Sequence, residues 1–411
     1  MRSWRFFPRK GFDTQAQGFR ALPRALCYFL SNPYPCPIRL TIVNDRPITP
    51  PIHDPELDRR VKSAGASKTV YALVTPETEA AKHLVLGNAV RGPDAARRYY
   101  LEQFRDAWTG KQFASHEVFI ERWMTWAAPV VAIDAAGFPW RYPTAGGSEA
   151  LFHVIAAYGN QARSEKFNPE VHVFAGEYEG YKAYAEACGI TVIEHPRSRW
   201  QTVGRALPQD ALFCLSQPSA IDGNVWPHAN DFLALLAAAS HKPRVLLDVT
   251  YVGSIAEAPA LRFAADSPAV QALAFSLSKP FGVYYDRIGG VLCRSAMPSL
   301  FGNQWFKNLT SLQLGVALLE RHDVFDLPRR YRNVQREAAA LVGRHLGLIL
   351  SPCDVGVLAQ AEPNSTTDRA LAEFLRRPAG DPSARLRLCL TPAMAELIGT
   401  AGPIAIPGGA P

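Results

Sequence analysis

Lys279 lies in Ser276-Leu277-Ser278-Lys279-Pro280-Phe281-Gly282, a stretch closed by Arg287-Ile288-Gly289-Gly290. It follows an apolar run, Ala269 to Phe275, of strand length. A second apolar run ends 31 residues before the lysine in an acid and a phenol, Leu246-Leu247-Asp248-Val249-Thr250-Tyr251. An amine at a strand end, flanked by hydroxyls and followed by a guanidinium, is the equipment for holding an aldehyde cofactor covalently and gripping its phosphate. A third segment, Thr144-Ala145-Gly146-Gly147-Ser148-Glu149-Ala150, precedes a helical stretch. Its glycines let backbone approach a phosphate, whose charge suits the free N–H groups of a helix start. The same Gly-Gly-Ser turn also serves as an ordinary helix cap.

Such residues need strands to present them. Apolar runs at Val171–Phe174, Ile190–Glu194, Ala211–Ser216, Val245–Asp248, Ala269–Ser276 and Ile288–Cys293 read as strands. Helical stretches at 148–163, 178–189 and 229–242 separate several of them. Strands alternating with helices predict βαβ units and an α/β fold with a mainly parallel sheet. The runs are continuously apolar, as expected for strands covered on both faces. Open parallel sheets bind ligands at the carboxyl ends of their strands, which is where the polar residues cluster. Two helices are expected over 90–127 and long helices over 304–346, with Pro328 opening the second of these. A short helix at 368–377 and a half-buried strand at 385–391 complete the reading.

Ser276 three before the lysine, Arg287 eight after it and Tyr251 three after Asp248 match a pattern. The chain resembles the class I/II aminotransferase family of fold-type I pyridoxal-phosphate enzymes from about Tyr142 to Arg294, with an echo near Arg387. The resemblance implies a seven-stranded-type sheet sandwiched by helices and a smaller α+β lobe. It makes Lys279 the Schiff-base lysine and proton shuttle. Asp248 would sit by the pyridine nitrogen and keep it protonated, and Tyr251 would bond the phenolic oxygen. Gly147, Ser148, Ser276 and Arg287 would hold the phosphate, and Tyr178 would stack on the ring. Arg387 would take the substrate α-carboxylate, with Arg385 competing for that role. Two departures stand out. The family's loop asparagine falls on Ala220, leaving Gln217 or Asn224 as substitutes. Tyr284-Tyr285-Asp286 brings bulk and charge where small residues are usual.

The resemblance further implies an aminotransferase-like enzyme acting at Cα of an amino acid or its 2-oxo acid, working as a homodimer. A specialised lyase, replacement or cyclising enzyme is the second reading, which the altered loop favours. A non-catalytic sensor or regulatory module is the third. The expected domains are a cofactor-binding large domain at 75–300 and a small one from 46–74 plus 301–400. A disordered tail follows at 401–411.

Charge separates the N-terminus from the rest. Residues 1–40 hold seven basic residues and one acid, so all but one unit of the net charge of +7 lies there. The near-neutral remainder gives no basic face for nucleic acid. The stretch 1–45 reads as a disordered basic tail, a transit peptide, or sequence ahead of a mis-assigned start near Val43. No apolar run reaches the length of a membrane span. The seven cysteines form no C-x-x-C pair and suggest a reducing, cytoplasmic compartment. No metal-ligand spacing appears, so no metal is expected.

Overall fold

Two helices open the described chain in the computed structural model, which describes residues 54–90, 113–301, 309–363 and 367–400. These are α1 (Pro55–Ser63) and α2 (Pro76–Val90), followed by α3 (Phe113–Ala127). The strands and helices then alternate: β1 (Val131–Ala132), β2 (Trp140–Thr144), α4 (Gly147–Glu165), β3 (Glu170–Phe174), α5 (Glu179–Ala187), β4 (Thr191–His195), α6 (Trp200–Ala206), β5 (Leu212–Ser216), α7 (Ala229–Ala238), β6 (Arg244–Asp248), β7 (Phe263–Ala264), β8 (Val270–Ser276), α8 (Ser278–Phe281) and β9 (Gly289–Cys293). The C-terminal part contains α9 (Pro298–Phe301), α10 (Leu309–Arg321), α11 (Asp326–Arg330), α12 (Arg332–Leu346), β10 (Ser351–Pro352), β11 (Leu358–Ala361), α13 (Arg369–Leu375), β12 (Leu386–Cys389) and α14 (Thr391–Thr400).

Seven strands form one sheet in the order β2-β9-β8-β6-β5-β3-β4. The pairings from β4 to β8 are parallel, and β9 runs antiparallel to both β8 and β2. The mainly parallel α/β sheet expected from the sequence is present. Side chains alternate between faces every second residue. Leu246, Ala272 and Ala274 pack with α4 and α5, while Val245, Leu247, Leu273 and Phe275 enter the larger core opposite. Both faces are therefore covered, which explains the unbroken apolar runs. Helix α4 buries Ala150, Leu151, Val154, Ile155 and Tyr158, a helical stripe. On the other face Trp123 of α3 stacks on Phe275 with ring centres 3.8 Å apart.

From β3 the chain moves outward to β4, then returns to place β5 on β3's other side. This reversal opens a crevice at the carboxyl ends of β3 and β5. A second, antiparallel sheet, β10-β11-β12, carries Arg387. An isolated bridge from Ser67 to Cys389 ties the segment after α1 to β12.

Several expectations need correction. β4 is a partly exposed edge strand, not one covered on both faces. β12 is buried along its whole length rather than half-buried. Pro328 lies inside the short α11, and the long helix opens at Arg332. Of the two helices expected over 90–127, α3 is described and 91–112 lie outside the described residues. The expected tails at 1–45 and 401–411 also lie outside them.

Candidate active site

β6 ends on Asp248, which is 4% exposed. Tyr181 Oη donates to its Oδ2 at 2.7 Å, and the Thr250 amide donates to Oδ1 at 2.9 Å. Burial raises the carboxyl above its ordinary range, while these bonds favour the ionised form. Among the described residues no cation pairs with it.

The turn between β2 and α4 brings glycines, a serine and a guanidinium together, a set able to cradle an anion. Gly146 has φ +82°, and a Cβ there would come 2.8 Å from Arg287 Nη2, so only glycine lets the guanidinium approach the turn. Arg287 itself is left-handed at φ 54°, and its Nη2 donates to the Ala145 carbonyl at 2.5 Å. A Cβ on Gly147 would come 3.6 Å from Ser276 Cβ, which brings the serine to the same turn. Ser276 Oγ accepts from the Ser278 amide at 3.1 Å. The Ser278 hydroxyl oxygen is buried with no partner. Buried hydroxyls are rarely left unbonded. This one is adjacent to Lys279.

Lys279 is in the first turn of α8, and its Nζ donates to the Val70 carbonyl at 2.6 Å. Burial lowers its pKa, so the uncharged, nucleophilic amine exists at lower pH than on a solvated lysine. The lysine borders a cavity of about 40 Å³ with Leu73, Tyr331 and Met394. Tyr251, three residues beyond Asp248, is buried and its phenol is pushed up to about 12, chiefly by burial. Tyr178 crosses Tyr181 edge-on, with ring centres 5.5 Å apart.

Arg387 is 5% exposed and reaches the site from β12. Its Nη1 donates to the Ala220 carbonyl, and its Nε has no partner. Burial, with Arg377 nearby, pulls it down to about 10. No carboxylate pairs with it among the described residues. It also borders a cavity of about 930 Å³ that touches Arg197, Trp226 and Arg385. Arg385 is instead paired with Glu362 at 2.9 Å.

The offered substitutes for the loop amide are turned away. Gln217 exchanges two bonds with the Trp226 backbone, and Asn224 bonds Gln360 and the Asp354 amide. Tyr284 and Tyr285 lie against each other with ring planes tilted by 35°, Tyr285 is 80% exposed, and Asp286 faces Lys82 at 3.3 Å.

Sequence reasoning missed Tyr181 and Glu177. Both lie in Glu177-Tyr178-Glu179-Gly180-Tyr181, where the resemblance gives a role to Tyr178 alone. Glu177 is buried and receives the Ser216 hydroxyl at 2.6 Å. Burial is the main cause that lifts its carboxyl from 4.5 to about 7. The native state therefore keeps a proton that the unfolded chain loses near pH 4.5. Relative to Glu177→Gln, wild-type stability should fall by about 3 kcal/mol between pH 4.5 and 7 and stay level above it. Denaturant titrations of both proteins at about pH 4.5 and about pH 8 check this.

Residues 144–318 match the family model described as Aminotransferase class I and II. No curated protein matches the chain. Among solved structures the chain is similar to YbdL of Escherichia coli, described with a methionine aminotransferase function. Identity is 18%, coverage is 84% of this chain and 96% of that one, and the TM-score is 0.56. It is similar to a probable N-succinyldiaminopimelate aminotransferase of Thermus thermophilus at 19% identity, with 84% and 96% coverage and TM-score 0.54. A histidinol-phosphate aminotransferase of Sinorhizobium meliloti, solved with pyridoxal-5'-phosphate, gives 16% identity, 88% and 100% coverage and TM-score 0.54. The match from Thr144 to Leu318 spans the Gly146–Gly147 turn, Asp248 and Lys279, and the chain has the fold of the enzymes it resembles.

Proposed function

We propose that the protein binds pyridoxal 5'-phosphate at Lys279 and transfers amino groups at Cα of amino acids and 2-oxo acids. One observation carries this reading. Two buried charges of opposite sign, Asp248 and Arg387, lack counter-ions among the described residues, and Arg387 lies close enough to the partly buried Lys279 amine to act on it electrostatically. A cationic ring nitrogen would complete the first, and a substrate carboxylate the second.

The residues present fit the cofactor. The Gly146–Gly147 turn, Ser148, Ser276 and Arg287 would hold its phosphate, and the unpartnered Ser278 hydroxyl adds a donor. Tyr251 would bond the phenolic oxygen, and Tyr178 would cover the ring. Once bound, the cofactor supplies an electron sink for the pair released when a Cα–H bond breaks. Asp248 keeps the ring nitrogen protonated, and Tyr181 and Thr250 keep Asp248 ionised and aimed. Lys279 Nζ takes up the Cα proton and returns it, a role its lowered pKa suits. Arg387 orients the substrate through its carboxylate. In this reading the cofactor lies between a large lobe at 75–300 and a smaller one from 46–74 and 301–400. The resemblance also carries a homodimer. The free cysteines among the described residues fit a cytoplasmic setting.

Ala220 supports a second reading. With Gln217 and Asn224 engaged elsewhere, Tyr251 is left without the loop amide beside it. That would alter the cofactor's electronics and suit a lyase or replacement enzyme. Incubation of the cofactor-loaded protein with single amino acids and no acceptor separates the two. Transamination leaves the amino group on the cofactor and releases the matching 2-oxo acid, both visible by mass spectrometry. A lyase returns the cofactor unchanged and releases a leaving group or an altered product.

A further inference from the structure

Ala220 lacks a polar side chain, yet its backbone joins two buried charges. Its amide donates to Ser216 Oγ at 2.7 Å, and the Ser216 hydroxyl donates to Glu177 Oε2 at 2.6 Å. At the other end of the same residue, Arg387 Nη1 donates to the Ala220 carbonyl. A carboxylate on the β3–α5 connection thereby reaches a guanidinium on β12 through one hydroxyl and one backbone unit.

We propose that Glu177 is a positioning residue for the anion site at Arg387, acting through Ser216 and Ala220. This rests on the reading of Arg387 as the holder of the substrate carboxylate. The polarity of the chain depends on an ionised Glu177. A serine has one proton to give. Here that proton goes to Glu177, which leaves a lone pair on Oγ for the Ala220 amide. Both carboxylate oxygens of Glu177 face donors. Oε2 faces the Ser216 hydroxyl, and Oε1 faces the Ser216 amide at 3.4 Å. A proton on either oxygen sets donor against donor and weakens a charge-assisted bond. The serine is then free to turn, and Ala220 loses the hold that fixes its carbonyl beneath Arg387.

Glu177 can change state near neutral pH because its surroundings oppose one another. Burial and Asp248 on β6 disfavour its charge, whereas the Ser216 bonds and Arg197 after β4 favour it. Tyr181 of α5 and Cys214 of β5 also interact with it electrostatically. Arg377 Nη2 donates to the Glu177 backbone carbonyl at 2.7 Å, which pins the residue while leaving its carboxyl free to titrate. With a midpoint of about 7, the chain is set above that pH and relaxed below it.

Propionate, which stays ionised above pH 6, is the probe. Its affinity is measured by calorimetry on the cofactor-loaded protein at about pH 6 and about pH 8, one unit either side of the midpoint. Wild type is expected to bind roughly tenfold more weakly at the lower pH, the scale of one charge-assisted hydrogen bond. Glu177→Gln cannot ionise and sets an NH2 group against a Ser216 donor, as the protonated acid does. It should bind within about twofold of the wild-type low-pH value at both pH values. Glu177→Ala and Ser216→Ala should bind weakly at both. A purely structural glutamate would not produce a pH dependence that the glutamine variant removes. If Arg387→Ala abolishes binding while wild type and Glu177→Gln share one pH profile, the relay is overturned and the anion site stands. If Arg387→Ala binds propionate as wild type does, the anion site itself is wrong, and the relay falls with it.

Discussion

Lys279→Ala is expected to give a folded protein with no measurable amino-group transfer, a loss of at least about 10⁵-fold, or about 7 kcal/mol of barrier. Two functions vanish with one side chain: the nucleophile that anchors the cofactor and the carrier that moves the Cα proton. The fold should survive, because the lost contact inside the molecule is one bond to the Val70 carbonyl. An unpartnered carbonyl there costs about 1–3 kcal/mol, well short of unfolding a chain with two extensive cores. The cradle, Asp248 and Tyr251 remain, so cofactor should still bind, reversibly and without the visible absorbance of the covalent form. Steady-state rates, an absorption spectrum and a thermal melt decide the matter. A variant that keeps even a hundredth of wild-type turnover would remove Lys279 from the chemistry.

Asp248→Asn carries the second large effect. The change is isosteric, and the amide oxygen can still receive the Tyr181 hydroxyl or the Thr250 amide. What disappears is the negative charge positioned to keep a ring nitrogen protonated. Cofactor affinity should fall modestly, since the phosphate cradle is untouched, while turnover falls by roughly 10²–10³-fold. The division is diagnostic. A group that only binds would raise the cofactor concentration needed and leave saturated turnover alone. Full turnover in saturating cofactor would contradict the electron-sink role of Asp248.

Asp248 and Lys279 were legible because the first ends a strand buried on both faces and the second lies three residues past the end of another, and such strands leave unbroken apolar runs in the sequence. The runs before Phe174, Ser216, Asp248, Ser276 and Cys293 all became strands of the seven-stranded sheet. β2 was not read as a strand. It is short, carries Arg141 and Pro143, and lies on the sheet edge, where proline is tolerated. β4 was read as covered because edge and centre differ in neighbours, which composition does not record. Helix α2 was also missed, since its apolar and polar residues form no clear stripe.

The partners of the site were less visible than its poles. Tyr181 meets Asp248 across 67 residues of sequence, and Glu177 meets Ser216 across 39. Neither spacing has a local signature, because the contacts arise from the crevice between β3 and β5. Arg387 was found on its strand, but its deep burial was not expected. An alternating charged and apolar segment predicts charges facing water, and that rule fails here because the second sheet buries β12 along its whole length. Gln217 and Asn224 were offered as substitutes by position alone. The loop's own backbone and the β11 side claim their amides instead.

The most direct test is chemical trapping. Purified protein is loaded with pyridoxal 5'-phosphate, reduced with borohydride, digested and sequenced by mass spectrometry. A single reduced pyridoxyl adduct on Lys279 is the predicted result. An adduct on another lysine, or none in saturating cofactor, would contradict the account.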